Sequence, residues 1–443
     1  MFEPIALEVL LTPRKKVLAN IPNEKFDVML RLRAHENHNI DLIRTPLAIS
    51  IVIDRSGSMS GNKLEQAKFS AIDIVKRLHE DDRVSVILYD DKVDVLLDLM
   101  PASVAKALIQ TKLEEVFAGG STNLHGGWLK GAELLAPRTN GKELCRVILL
   151  SDGQANQGIV DIDRICGQVS DLARAGISTT TVGFGLGFNE ELMTAIAHAG
   201  QGNAWYGERV EDLMESFDSE MSYLSRIVFK EVEVFANYEG RQLQMRNDFR
   251  SVRRNTWRLS GIAIGSEKWM AFSMPIREVI EVQKSGSIIE LEIQLTDSQN
   301  QKHKLSAKLL EQPVVTISEY RGAEEDELVA RRFQEVEMAD IQREARGLVR
   351  EGDWIGVERM IDDLEYKAQN NPWALETVKY LRKLLNRRDA QRMEKELMYS
   401  SHSMKNRVAD LEDNVLFCMS EEADKPAFLR KKTTQGRNTD SQG

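Results

Sequence analysis

The sequence has few of the features that would place it outside a reducing compartment or across a membrane. Its 443 residues include three cysteines, an odd number, with no CxxC or Cys/His spacing typical of a zinc site. No apolar run approaches the roughly 20 residues needed to span a bilayer. The amino terminus lacks the basic, apolar and small-residue order of a signal peptide. We therefore expect a cytoplasmic protein with reduced thiols and no membrane span.

The chain also lacks an excess of basic residues. The chain has 59 Lys and Arg against 69 Asp and Glu, a formal net charge of −10. This balance argues against nucleic-acid binding, which needs clustered positive charge. A hydrophobic content of 42% and a charged content of 29% are ordinary for a globular protein. The length allows two or three domains.

Residues 50–58 read SIVIDRSGS and are the most informative stretch of the chain. An apolar run ends in the carboxylate of Asp54, and the hydroxyls of Ser56 and Ser58 follow at alternate positions. Open α/β sheets bind their ligands where the carboxyl ends of the strands meet. Rigidly held oxygens suit a hard divalent cation such as Mg²⁺, which prefers about six of them. The alternative is that these side chains only cap the next helix.

Two later segments supply more oxygen ligands. Residues 118–124 read AGGSTNL, a glycine-hinged loop that presents Thr122 before a helical pattern. Residues 147–153 read VILLSDG, a second apolar strand that ends in Asp152. Asp54 and Asp152 therefore hold equivalent positions at the ends of two strands, which helix capping does not explain.

The pattern D-x-S-x-S, then a loop threonine, then an aspartate closing a later strand, resembles the metal-ion-dependent adhesion site of von Willebrand factor A domains. The resemblance covers residues 47–224 and implies a doubly wound α/β domain with a mostly parallel sheet. In this family the three hydroxyls bind the cation more directly, and the two carboxylates often act through water. The site that the resemblance implies consists of Asp54, Ser56, Ser58, Thr122 and Asp152.

The compact, hydroxyl-rich set and a cytoplasmic supply favour Mg²⁺, with Mn²⁺ and Ca²⁺ as alternatives. A cation held by neutral hydroxyls keeps residual positive charge and an open position, which an acidic side chain can fill. The family uses its site in this way, so the resemblance implies metal-dependent binding of a protein that supplies an Asp or Glu. Two alternatives stay open: an adaptor working with an AAA+ ATPase or a kinase/phosphatase system, and a purely structural metal site.

Catalytic machinery is not apparent near the predicted site. A nucleophile needs a base within hydrogen-bonding reach, and the seven histidines are scattered along the chain. His125 lies three residues after Thr122, but we expect it in the first turn of the following helix. We therefore expect a protein that is not an enzyme.

The chain divides by pattern into five segments. Strands and helices alternate over 47–224, which predicts a parallel sheet covered on both faces. Alternating strand patterns flank it at 1–46 and 225–320, and because a lone hairpin is marginally stable we predict one β-sandwich with the α/β domain inserted. The alternative is a separate amino-terminal hairpin. Residues 321–423 predict a helical bundle through which copies of the chain could self-associate, and 424–443 predict a disordered tail.

Periodicity also predicts the individual elements. In the inserted domain the expected strands are 48–53, 83–89, 145–151, 177–182 and 200–206, and the expected helices are 61–79, 103–116, 124–136, 160–175, 188–199 and 209–224. The expected flanking strands are 3–12, 26–33, 227–236, 257–264, 268–275, 287–295 and 303–310. The carboxy-terminal helices are expected at 324–349 and, as a pair broken near 370–372, at 352–385.

Overall fold

The computed structural model describes most of the 443-residue chain. The described residues are 7–35, 44–139, 143–184, 188–207, 217, 220–239, 241–249, 251–369, 371–406 and 409–410. The predicted helix 209–224 lies partly, and the predicted tail 424–443 entirely, outside them. The chain forms two compact units, one spanning residues 42–230 and the other built mostly from the residues on either side. None of the helices within the described ranges is long and apolar enough to cross a membrane.

The elements alternate in the middle of the chain and separate by type towards its end. The strands are β1 (Leu7–Pro13), β2 (Lys25–Ala34), β3 (Leu47–Asp54), β4 (Arg83–Tyr89), β5 (Val93–Pro101), β6 (Leu144–Ser151), β7 (Ile177–Phe184), β8 (Gln201–Gly207), β9 (Ile227–Asn237), β10 (Gln244–Met245), β11 (Ser251–Arg253), β12 (Thr256–Leu259), β13 (Ile262–Ala263), β14 (Ser266–Pro275), β15 (Ser287–Asp297), β16 (Lys302–Leu310) and β17 (Ala409–Asp410). The helices are α1 (Asn62–Arg77), α2 (Ala102–Glu114), α3 (Leu124–Leu135), α4 (Ile162–Arg174), α5 (Glu190–Ala199), α6 (Ile276–Val282), α7 (Ile317–Gly322), α8 (Glu327–Glu351), α9 (Trp354–Ala368), α10 (Pro372–Arg387) and α11 (Ala390–Asn406).

The α/β unit is built on a six-stranded sheet in the order β5-β4-β3-β6-β7-β8. Strands β4, β3, β6, β7 and β8 are parallel neighbours, and all eight residues of β3 are buried. Such a strand reads as a continuous apolar run because both of its faces are covered. The predicted doubly wound, mostly parallel sheet is therefore confirmed. The antiparallel edge strand β5 was not predicted, because Asp94 and Asp98 interrupt its apolar pattern.

Helix α3 packs closely on this sheet, and two glycines make the approach possible. A Cβ atom at Gly127 would lie 2.4 Å from Cδ1 of Tyr89, and one at Gly131 would lie 2.6 Å from Cγ2 of Val52. Neither distance is compatible with a side chain in a close-packed interior. The two glycines thus allow α3 to lie close to β3 and β4, while the side chain of Asn123, next to Thr122, caps the start of the helix.

The other unit contains two sheets, in the orders β1-β2-β14-β10, with β17 beside β14, and β11-β12-β9-β15-β16, with β13 beside β9. Strand β2 pairs with β14 over ten residues, with Met29 opposite Ala271. Strands that precede and follow the inserted domain therefore share a sheet, which excludes a separate amino-terminal hairpin. The rings of Trp257 and Phe272, one from each sheet, lie 5.4 Å apart. The predicted β-sandwich is confirmed.

Helices α8 to α11 belong to the same unit. The first of them, α8, packs Val329, Phe333 and Val336 against Met29 and Trp269 of the sandwich. The four helices also share an apolar core of their own, as expected for the helical region. One detail of the prediction is wrong: the strand expected at 257–264 is two short strands, β12 and β13, because the chain leaves the β conformation at Ser260 and Gly261.

Candidate cation site at the sheet edge

Asp54 is the last residue of β3, and its side chain is fully buried. Its Oδ1 accepts a hydrogen bond of 2.8 Å from the backbone N–H of Ser56. Its Oδ2 accepts from the hydroxyls of Ser151, at 2.6 Å, and Tyr89, at 3.2 Å. These donors are neutral, so the carboxylate is oriented by hydrogen bonds without an ion pair among them.

Burial raises the pKa of Asp54, opposed by the hydrogen bonds from Ser151 and Ser56, while the negative charge of Asp152 raises it further. The pKa of Tyr89 is raised well above its usual value by complete burial and by the nearby Asp54 charge. Both pKa shifts have the same origin, because burial at this edge of the sheet disfavours the negatively charged form of each group.

The two serines lie directly after β3. Ser56 is 1% exposed, and Ser58 is in the short 3₁₀ helix Gly57–Met59. Their hydroxyl oxygens are 3.2 Å apart. The predicted spacing of alternate residues therefore does bring the two oxygens side by side.

Thr122 reaches this edge on the loop before α3 and is 2% exposed. The backbone N–H of Gly57, between the two serines, donates to the carbonyl of Gly120 at 3.1 Å. The N–H of Thr122 donates to Oδ1 of Asn156 at 2.7 Å. The hydrogen bonds that join Thr122 to the edge thus run through the backbone of its loop.

Asp152 follows β6, the strand next to β3, and is fully buried. Its Oδ2 accepts from Nζ of Lys63 at 2.9 Å. The same ammonium donates to the backbone carbonyl of Ser58 at 3.2 Å. Lys63 therefore links the end of β6 to the serine turn that follows β3.

His125 lies in the first turn of α3, as predicted. Its Nε2 is hydrogen-bonded to Oε1 of Gln168 at 2.5 Å, and its ring lies 5.8 Å from that of Trp128. These contacts direct the imidazole towards α4 and the interior of the helix layer. In the described ranges, no group of three His, Cys, Asp or Glu side chains could hold a metal ion. A cation at this edge would therefore depend on hydroxyl oxygens.

Four contributors to the edge were missed from sequence: Lys63, Tyr89, Ser151 and Asn156. Ser151 and Tyr89 are the last residues of strands next to β3, so the sequence could have placed them at the same edge of the sheet. Nothing in the sequence pointed to Lys63 or Asn156, because neither lies at the end of a strand.

Comparison with known proteins agrees with this architecture. Residues 48–219 match the model of the von Willebrand factor type A domain. The chain is 32% identical over 190 residues to an uncharacterised protein of Synechocystis, covering 42% of this chain and 43% of that one. It is 30% identical over 168 residues to inter-alpha-trypsin inhibitor heavy chain H3 of Mus musculus, covering 36% and 19% respectively. The match thus spans less than half the length of either relative.

Two solved structures share the fold over most of the chain. The ArnB paralogue VWA2 of Sulfolobus acidocaldarius has a TM-score of 0.60 at 18% identity, covering 89% of this chain and 99% of that one. A von Willebrand factor type A protein of Catenulispora acidiphila has a TM-score of 0.64 at 15% identity, covering 86% and 91%. At these identities the likeness concerns the fold. Residues 48–219 of this chain therefore form an α/β domain like the von Willebrand factor type A domain.

Proposed function

We propose that the sheet edge binds a divalent cation, Mg²⁺, and that the domain uses it to bind an acidic side chain of a partner protein. One observation carries the proposal. Two fully buried carboxylates, Asp54 and Asp152, lie at the ends of neighbouring strands. In the described part of the chain, Lys63 forms an ion pair with Asp152, whereas the donors to Asp54 are neutral. Buried charges are normally paired or coordinate metals.

The oxygen atoms at this edge suit such a cation. The Ser56 and Ser58 hydroxyl oxygens are 3.2 Å apart. Adjacent corners of an octahedron with metal–oxygen bonds of about 2.1 Å are separated by about 3 Å. The two oxygens can therefore serve as neighbouring ligands with little movement. Hydroxyls and carboxylates are also the ligand types that hard cations prefer over nitrogen or sulfur.

In the proposed site, the neutral and the charged side chains have different roles. Ser56, Ser58 and Thr122 would supply neutral oxygens, while Asp54 and Asp152 would act through water. Because Asp54 already accepts from Ser56, Tyr89 and Ser151, it holds the turn in place as well as contributing charge. The bound cation would supply an electrophilic position that a partner carboxylate can occupy.

We further propose a cytoplasmic, non-enzymatic role. Cys145 and Cys166 are free thiols, which fits a reducing compartment. His125, the nearest histidine in sequence to the loop that carries Thr122, is held by Gln168. The helical region α8 to α11 remains a candidate for self-association.

The test is affinity capture of partners with Mg²⁺ and with EDTA. The variants are Thr122→Ala and, as a matched control, Thr111→Ala at an exposed position of α2. We expect partners to bind the wild type and the control in Mg²⁺, and to be lost in EDTA or with Thr122→Ala. Capture that is unchanged by EDTA and by Thr122→Ala would contradict the proposal and favour an adaptor surface elsewhere. Stabilisation by Mg²⁺ without any change in capture would favour a structural metal.

A further inference from the structure

Lys63 has an unusual position for a cation. It lies in the first turn of α1, immediately after the serine turn. The amino-terminal end of a helix carries partial positive charge and disfavours cationic side chains. The ammonium nevertheless points back across this end, where it contacts Asp152 and the carbonyl of Ser58. An attraction stronger than the helix dipole must hold it there.

That attraction comes from a buried carboxylate that a divalent cation would also use. The Asp152 side chain is fully buried, whereas that of Lys63 is 28% exposed. A partly exposed lysine on a flexible four-carbon stem can leave its partner without being trapped in the interior. The carboxylate cannot move in the same way, because it is anchored at the end of β6.

We propose that Lys63 is a built-in competitor of the divalent cation for Asp152. Its ammonium neutralises Asp152 and must be displaced or repelled when a cation binds. The competition lowers the affinity of the site for metal. It also leaves an extra positive charge beside a loaded site, which favours capture of a carboxylate. The inference rests on the proposed cation site, but not on the identity or existence of the partner.

The direction in which one substitution changes the affinity for metal distinguishes a competing role of Lys63 from a merely structural one. Lys63→Met keeps the length and the apolar stem of the side chain but removes its charge. If Lys63 only supported the fold of the site, Lys63→Met would weaken metal binding. If Lys63 competes, the same change removes a positive charge beside Asp152 and tightens binding, by about tenfold or more given the short distance.

The experiment is calorimetric titration of the full chain with Mg²⁺ alone, without a partner. Lys63→Met is compared with Lys63→Arg, which keeps the charge, and with Lys76→Met, the same change at an exposed position of α1. We expect tighter Mg²⁺ binding for Lys63→Met, and affinities close to the wild type for the other two. Lys63→Gln carries the same test should Lys63→Met fold poorly.

Each outcome decides the question. Equal or weaker Mg²⁺ binding by Lys63→Met overturns the competitor role, while the cation site itself stands if the wild type still binds. Binding by Lys63→Met alone supports the competitor role in its strongest form, with Lys63 excluding the metal. Absence of binding by both proteins overturns the inference together with the proposed cation site. Loss of partner capture, with these titrations unchanged, concerns only the partner.

Discussion

A buried carboxylate lies near each end of strand β6, and the two carboxylates differ in how their negative charge is neutralised. Near the start, Arg146 donates to Oε1 of Glu220 at 2.6 Å, and Thr180 and Asn203 donate to the same carboxylate at 2.8 and 2.5 Å. Just past the other end, Asp152 has the partly exposed Lys63. The Glu220 carboxylate is neutralised by partners that are themselves buried, so removing one of them leaves an uncompensated charge. The Asp152 carboxylate has a partner that can move into solvent, so another cation could take its place.

The largest expected effect concerns the fully paired end. Arg146→Met should lower the free energy of unfolding by about 3–5 kcal/mol, because it leaves the Glu220 charge buried without its partner. Urea denaturation measures this loss. The double variant Arg146→Met/Glu220→Met should recover most of it, since apolar residues can replace a buried ion pair. A loss below about 1 kcal/mol for the single variant would show that the two ends of β6 do not differ as described.

A smaller effect is expected at the open end. Asp152→Asn should change the free energy of unfolding in EDTA by no more than about 1 kcal/mol, because its ion pair with Lys63 is partly exposed. With Mg²⁺ at 100 times its dissociation constant, the wild type should gain about 2.7 kcal/mol and the variant should gain nothing. Urea denaturation with Mg²⁺ and with EDTA provides both numbers. An equal gain in the two proteins would place the cation elsewhere.

The smallest expected effect is an absence of reaction. Burial raises the pKa of Cys145, the residue before Arg146, to about 12. Since a raised pKa keeps the thiol protonated up to a pH near that value, almost no reactive thiolate exists at pH 8. We expect iodoacetamide to leave Cys145 unmodified in the folded protein and to alkylate it in urea, as measured by mass spectrometry. Rapid alkylation of the folded protein would show that Cys145, at the start of β6, is accessible to solvent.

Much of the α/β domain could be predicted because its signals are local. The run that precedes Asp54 is apolar because β3 is covered on both faces, and parallel strands must end at a common edge. Those two facts place Asp54 and Asp152 at one edge of the sheet, and the structure adds that their strands are neighbours. The edge strand β5 escaped prediction because its exposed aspartates hide its pattern.

In the β-sandwich, the individual strands could be predicted but their pairing register could not. The alternating pattern of each flanking strand was visible, and the lone-hairpin argument favoured one shared sheet. The actual register, in which Phe26 lies opposite Met274, depends on packing between strands that are distant in sequence. Such pairings leave no mark on either strand alone.

By itself, the sequence determined that a carboxylate and two hydroxyls lie at the end of a buried strand, that Asp152 ends a second apolar strand, and that Thr122 lies in a loop between them. Only the tertiary structure decided how their charge is balanced. Burial of Asp54 among neutral donors and the return of Lys63 to Asp152 join residues from separate elements. The reason is physical: spacing along a chain fixes which groups a strand or turn presents, whereas electrostatic balance depends on every group that folding brings within a few ångströms.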